Sequence, residues 1–532
     1  MARTTSHPAA SKQVGLENRR RKCAACAGPA RADYRARRNV VTLEAVVALK
    51  VQVRVCHREG CALYRKAVRA EEEGRWVLPE HEFGLDVIAL IGALRYQEHR
   101  SVPEIHAALR ERGVPISERS VTNLLDRYDE LLALRLADSQ RLREVTGKQG
   151  RVVLAIDGLQ PDVGHEVLWV VRDCLSGEVL AARSLLSSGE EELASLFNEV
   201  LAALDVPVAG VVSDGQRSIR NAVSTALPGV LHQLCHFHYL REAARPLYEA
   251  DRHAKKELKK RVRGVRPVER AVEQRDDTEA RVVRGYCAAV RSALTDDRRP
   301  PLRPSGLQLH QRLESIEQSL ERAPKRGARS KELMRLGHLL RRGLTETALM
   351  WPSLEHAYDW VERTAELLQN EEGDSGEHVR TRMSGLVSAL SRHVRRTRTP
   401  LRAALKHFLT ETRRYWAGLF HCYDVEGLPR TNNDLEHFFG TARYHERRAS
   451  GRRRGSEGLV VRGQVRIVAA AATRLSPVKG RDLAPKDTAA WRTLRTSLDS
   501  RRQPRVLGRR FRKDPAGYLL ALEAELRSVL PV

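Results

Sequence analysis

From residue 47 to 55 the chain alternates apolar with mostly polar side chains and runs straight into Cys56. That period of two predicts a half-buried strand. Leu85–Tyr96 repeats instead with a helical period. The next segment, Ser101-Val102-Pro103-Glu104-Ile105, has a Ser cap, an early Pro and a Glu at the third helical position, so it predicts a second helix. Ile105, Leu109 and the turn residue Val114 supply its apolar contacts. Gly113-Val114-Pro115-Ile116 breaks that helix and Ser117 caps another, with Val121, Leu124, Leu125 and Tyr128 inward. Its outward residues are Arg119, Ser120, Thr122, Asn123 and Arg127. Helix, short Gly-containing turn and polar second helix is the helix-turn-helix pattern, although any two-helix hairpin shares the periodicity. The outward side chains suit phosphates and base edges.

Beyond residue 150 the pattern changes. Arg151-Val152-Val153-Leu154-Ala155-Ile156 predicts a continuous buried strand ending at Asp157-Gly158. Strands follow at 166–171 and 178–186, then an amphipathic helix at 189–204. A fourth strand at 208–213 ends at Asp214-Gly215; a helix at 217–227 and a short strand at 230–234 complete the series. The order β-β-β-α-β-α-β is that of the ribonuclease H-like fold, with an Asp at two strand ends. From 241 to 425 strand signals stop. Leu309, Leu313, Ile316 and Leu320 step by helical intervals, as do Val379, Met383, Leu386, Leu390 and Val394. This predicts a helical block, highly charged over 251–304. Trp351, Trp360 and Trp416 fall mostly on its apolar faces and are expected in its core.

Composition narrows the class. The 532 residues hold 93 Lys+Arg against 67 Asp+Glu, a formal net charge of +26. With 42% hydrophobic and 30% charged residues the chain is globular, and its length implies more than one domain. No stretch nears the roughly 20 apolar residues of a membrane helix, and residues 1–13 lack the apolar core of a secretory signal. A cytoplasmic protein with a polyanionic partner is expected, most simply nucleic acid. Eight Cys are too few for a disulfide scaffold. Four of them form pairs: Cys23 with Cys26, and Cys56 with Cys61 at a strand end. Such pairs predict one structural Zn(II) in a zinc ribbon, with His57 as an alternative ligand because the second gap is wide.

Three acids carry the candidate chemistry. Asp157 and Asp214 terminate core strands, and Glu436 lies in Thr431-Asn432-Asn433-Asp434-Leu435-Glu436-His437-Phe438-Phe439-Gly440, where Thr431 or Asn432 can cap a helix. Asp434 is the local rival of Glu436. With Leu234-Cys235-His236-Phe237-His238, these motifs resemble the DDE transposases of bacterial insertion sequences, the Cys-x-x-His signature being that of Mutator-like and hAT-like relatives. The similarity spans about 20–470, its helical block matched by position alone. It implies an α/β ribonuclease H-like core interrupted by a large all-α insertion, behind an N-terminal zinc ribbon and helix-turn-helix. It implies that Asp157, Asp214 and Glu436 hold two Mg(II) or Mn(II), with Cys235, His238 and Asn433 supporting the site. The implied activity is binding of terminal repeats, strand cleavage and strand transfer into target DNA, by a homodimer or larger assembly on double-stranded DNA. A nuclease that does not join strands and a domesticated DNA-binding regulator are the alternatives.

Two Arg-rich segments remain. Residues 443–454 hold Arg443, Arg447, Arg448, Arg452, Arg453 and Arg454 beside the third acid, and 492–513 holds nine basic residues. Arg forks suit phosphate oxygens. The expected division is a zinc ribbon (1–75), a helix-turn-helix (76–148), a catalytic core in two parts (149–240 and 426–475), a helical insertion (241–425) and a basic tail (476–532).

Overall fold

A computed structural model describes residues 9–160, 166–296, 302–325, 330–451 and 457–529. Strands β1 (Lys12–Leu16), β2 (Ala30–Val41), β3 (Val46–Cys56) and β4 (Ala67–Arg69) form the first sheet. β3 is the expected strand and the centre of the sheet, parallel to β1 and antiparallel to β2 and β4. Its alternation is realised: Leu49, Val51 and Val53 are buried with Val40 and Val77, while Lys50, Gln52 and Arg54 lie on the other face. α1 (Leu85–Tyr96) matches the expected helix. α2 (Val102–Glu111) begins with a complete Ser101–Glu104 capping box, and α3 (Glu118–Leu136) is capped by Ser117. α4 (Ser139–Gly147) leads into the second sheet.

That sheet comprises β5 (Val152–Leu159), β6 (Val167–Asp173), β7 (Val179–Leu185), β8 (Val208–Ser213) and β9 (His232–Leu234), in the order β7-β6-β5-β8-β9. β6 and β7 are antiparallel, β8 and β9 parallel. Helix α5 (Glu190–Ala202) precedes β8, α6 (Arg217–Ala226) precedes β9, and α7 (His236–Ala243) follows it. Eight helices then run from α8 (Arg245–Arg261) to α15 (Arg402–Tyr415), and no strand interrupts them among the described residues. The order ends with α16 (Asn433–Ser450), α17 (Glu457–Leu475), α18 (Thr488–Lys513) and α19 (Pro515–Val529). The molecule is thus mixed α/β, with two mixed sheets.

The chain divides into two compact units. The first contains 1–152, 156–207 and 434–532; the second contains 153–155 and 208–433, so β5 contributes to both. In the first unit α1, α2 and α3 share a core with Ala469, Ala470 and Trp491. Gly92 is required there, because a Cβ would fall within the Tyr128 ring. Within the expected basic tail, α18 seals this core with Trp491, which donates to Glu130 at 2.9 Å.

A buried ion network joins the same helices. Arg462 of α17 pairs with Asp126 at 3.1 Å and Glu130 at 2.8 Å on α3. Arg466, one turn on, reaches Asp129 at 3.5 Å and Glu446 of α16 at 3.0 Å. Glu446 also accepts from Arg95 of α1 at 3.0 Å. Burial pushes Asp129 up to about 6 despite these cations. Removing one partner would strand the others without water. Arg462→Ala is expected to cost about 3–5 kcal/mol in urea unfolding followed through Trp fluorescence; a cost below about 1 kcal/mol would contradict the network's role.

In the second unit the helices bury Leu258, Val283, Leu313, Leu336, Trp351, Tyr358, Met383 and Phe408 in one core. Trp360 is buried with them and Trp416 packs half-buried on Phe420, as their apolar positions implied. His236, buried with Nε2 2.7 Å from the Leu419 carbonyl, is pulled down to about 4 by desolvation. The unfolded chain protonates this residue near 6.5, whereas the native state resists it until about 4. Its contribution to stability is thus complete above about 6.5 and falls as pH drops towards 4, by on the order of 3 kcal/mol. Hydrogen exchange of α7 at pH 7.5 and 4.5 should show this loss, and His236→Gln should flatten it.

Candidate active site, zinc centre and DNA-binding residues

The zinc centre is built from two knuckles. Cys23 donates its N–H to Gly28 O at 2.7 Å and accepts from Ala27 N at 3.0 Å, which folds Cys26 back towards it. Cys56 closes β3, and a turn through Gly60, at φ +80, returns Cys61 to it. Cys23 Sγ lies 3.7 Å from Cys61 Sγ, and Cys26 Sγ 3.6 Å from Cys56 Sγ. All four sulfurs fall within 4.8 Å of one another. A tetrahedral ion with Zn–S bonds of about 2.3 Å sets sulfurs about 3.8 Å apart, whereas a disulfide needs about 2.05 Å. Backbone N–H groups of Cys26 and Ala25 lower Cys23 to about 7. Cys61, although Leu63 N–H favours its thiolate, is pushed up to about 12 by burial and neighbouring thiols. Four such groups cannot ionise together without a cation, and soft thiolates suit Zn(II). His57 is exposed and outside the cluster, so the Cys set is complete without it. Among the described residues no other His, Cys, Asp and Glu group meets this criterion.

Asp157 lies inside β5, two residues before its end rather than just beyond it. It is half-buried, and Gly158 N–H donates to its Oδ1 at 2.8 Å. A Cβ at Gly158 would press on Val167 at 3.0 Å and Trp169 at 3.2 Å. Glycine thus lets β6 cross close behind the acid.

Asp214 follows β8 in the second unit, where Gln216 N–H donates to its Oδ1 at 2.9 Å. Gly215 adopts φ +84, and a Cβ there would strike Tyr415 at 2.8 Å. Tyr415 donates to the Asp214 carbonyl at 3.1 Å, with Arg220 stacked 4.9 Å over its ring. The helical block thereby braces the turn that carries Asp214. Cys235, fully buried at the end of β9, donates its N–H to Ser213 O at 2.8 Å. Its Sγ accepts from Asn432 N at 3.3 Å, and His236 N–H donates to Arg430 O at 3.0 Å. The Cys-x-x-His segment therefore anchors the chain that leads to Glu436. His238 is buried on the same helix. His236 and Tyr415 were missed from sequence. His236 stood within the recognised signature, but nothing local ties Tyr415 to residue 214.

Glu436 lies in the first turn of α16, half-buried between buried Leu435 and Phe439. Asn433 is half-buried at the helix start and Asp434 is exposed. Asp157 and Glu436 belong to the first unit and Asp214 to the second.

On α3, Arg119, Thr122 and Asn123 are exposed and Ser120 is half-buried. Arg127 is not outward, which corrects the expectation. It is 8% exposed, pairs with Glu130 at 2.9 Å and lies 6.0 Å from the Trp491 ring. The helical period places it at the edge of the apolar stripe, and only the distant α18 makes that edge interior. Arg443, Arg447 and Arg448 lie on α16, and Arg448 pairs with Glu104 at 2.9 Å. Arg443, Arg447 and Arg448 are all exposed. Arg452, Arg453 and Arg454 lie outside the described residues.

Residues 191–302 match the family model described as Transposase, Mutator family. The chain thus carries a Mutator-family transposase domain, which includes Asp214, Cys235 and His238, while Asp157 and Glu436 lie outside the match. No curated protein matches the chain. Among the described residues, no helix is long and apolar enough to cross a membrane.

Proposed function

We propose that this chain is a DDE transposase, which binds the terminal repeats of a mobile element, cuts its strands and joins them to target DNA. The observation that carries the reading is the Mutator-family match laid across β8, α6, β9 and α7, with Asp214 at the strand end. The sheet order β7-β6-β5-β8-β9 supports a ribonuclease H-like core, and α2 and α3 support a helix-turn-helix.

In this reading Asp157, Asp214 and Glu436 hold two Mg(II) or Mn(II); an all-carboxylate donor set suits such hard cations. When bound, the pair supplies an activated oxygen nucleophile and a stabilised leaving oxygen. The chain's own part is positioning. Gly158 and Gln216 N–H groups orient the two Asp carboxylates, Tyr415 and Cys235 fix the Asp214 turn, and Asn433 with His238 supports the Glu436 segment. Arg119, Ser120, Thr122 and Asn123 would read or grip duplex DNA, and Arg443, Arg447 and Arg448 its phosphates near the third acid. The zinc ribbon adds a DNA-binding module at the N-terminus, and the protein acts in the cytoplasm on nucleoid DNA.

The test is cleavage of a duplex ending in the element's terminal repeat, with Mg(II) against EDTA. Metal-dependent nicking at the repeat end supports the proposal. Cutting with no preference for the repeat end favours a nuclease, and sequence-specific binding without cutting favours a regulator; either outcome overturns it.

A further inference from the structure

Arg220 lies on α6, just after the turn that carries Asp214. Its guanidinium joins that turn to the end of α15. Nη1 donates to the Arg414 carbonyl at 2.8 Å, in the last turn of α15, where the helix dipole favours a cation. The flat face stacks on Tyr415, whose hydroxyl donates to the Asp214 carbonyl. Nη2 lies against the turn, 3.3 Å from where a Cβ on Gly215 would stand. Arg220 N–H donates to Gln216 O at 3.0 Å, and Gln216 N–H donates to Asp214 Oδ1 at 2.9 Å. These contacts close a ring from the acid through Gln216, Arg220 and Tyr415 back to the acid. All of it lies within the second compact unit.

Packing alone does not account for an arginine here. Its Nε and Nη2 are closed to solvent and have no hydrogen-bond partner among the described residues. Unsatisfied donors on a buried cation cost stability, a penalty that a methionine of similar reach would avoid. What arginine alone supplies is a flat cation that stacks on a ring while one nitrogen bonds a carbonyl. We propose, on the reading of Asp214 as a metal ligand, that Arg220 is a positioning residue. It locks the end of α15 against the Asp214-Gly215 turn and so fixes the direction in which the carboxylate meets a divalent cation. Groups behind a metal ligand orient it, and losing one typically costs roughly 10–100-fold in metal affinity.

The test is Mn(II) binding to the zinc-loaded full chain without DNA, followed by the electron paramagnetic resonance of free Mn(II). Arg220→Lys keeps the charge and loses the flat stack, so the local field stays and the geometry changes. It should raise the Mn(II) dissociation constant about tenfold, with circular dichroism and duplex affinity unchanged. In an Asp214→Asn background the same change should have no further effect, because Arg220 acts through that carboxylate. Wild-type Mn(II) affinity in Arg220→Lys, or an equal loss with and without the Asp214 carboxylate, would overturn the proposal and leave Asp214 a ligand. If Asp214→Asn itself bound Mn(II) as the wild type does, the reading of Asp214 would fail and the proposal with it.

Discussion

In the proposed reading, Asp157→Asn, Asp214→Asn and Glu436→Gln are each expected to lower metal-dependent strand cleavage by at least about a thousandfold while leaving repeat binding unchanged. Such a loss corresponds to roughly 4 kcal/mol of transition-state stabilisation, the scale expected when a divalent cation loses a charged ligand. Each change is nearly isosteric. In Asp214→Asn the amide oxygen can still accept from Gln216 N–H, and the Tyr415 contact goes to the backbone carbonyl rather than the side chain. The fold should therefore survive, which circular dichroism checks. Asp434→Asn, on an exposed side chain in the same helical turn as Glu436, should retain most activity. If it, rather than Glu436→Gln, abolished cleavage, the third acid would be reassigned.

Loss of zinc produces the other large effect. Structural zinc contributes about 10–16 kcal/mol in isolated fingers, and here Cys56 and Cys61 pin the end of β3, the strand that organises the whole first sheet. Cys56→Ser, or a strong chelator, should unfold β1–β4 and lower duplex affinity, with the zinc content of the purified protein falling from one per chain towards zero. Helices α7–α15, in the other compact unit, should keep their hydrogen-exchange protection. A Cys56→Ser protein that retained stoichiometric zinc would contradict the four-thiolate site.

What was legible in the sequence was local. The helix at Leu85–Tyr96, the capping box at Ser101 and the Ser117 cap are short-range physics and occur where the pattern places them. The strands of the second sheet were visible because buried strands are continuous apolar runs, and the four Cys because paired spacing is specific. Other features depended on distant partners. Strand β2 reads as a basic run, Ala30-Arg31-Ala32-Asp33-Tyr34-Arg35-Ala36-Arg37-Arg38, because its side chains gain little burial and its pairing comes from β3. Arg127 looked outward because α18, far along the chain, supplies the Trp491 that covers it. Tyr415 reaches the Asp214 turn across 201 residues. The charge network of Arg462 and Arg466 was likewise invisible, since Arg on a helix in a chain with 93 basic residues reads as solvated surface.

The same contrast bears on the net charge of +26. Several of its cations are not available to a polyanion. Arg95, Arg127, Arg462 and Arg466 are held by buried or nearly buried acids. Those exposed on α3 and α16 carry the DNA-facing charge in the proposed reading.

The most direct measurement is a strand-joining assay: a radiolabelled terminal-repeat duplex with a free 3′-hydroxyl, a supercoiled target plasmid and Mg(II). Label covalently attached to the plasmid through that 3′-hydroxyl is expected with wild-type protein and not with Asp214→Asn. Nicking of the plasmid without attached label, or joining that persists when divalent metal is removed, would contradict it.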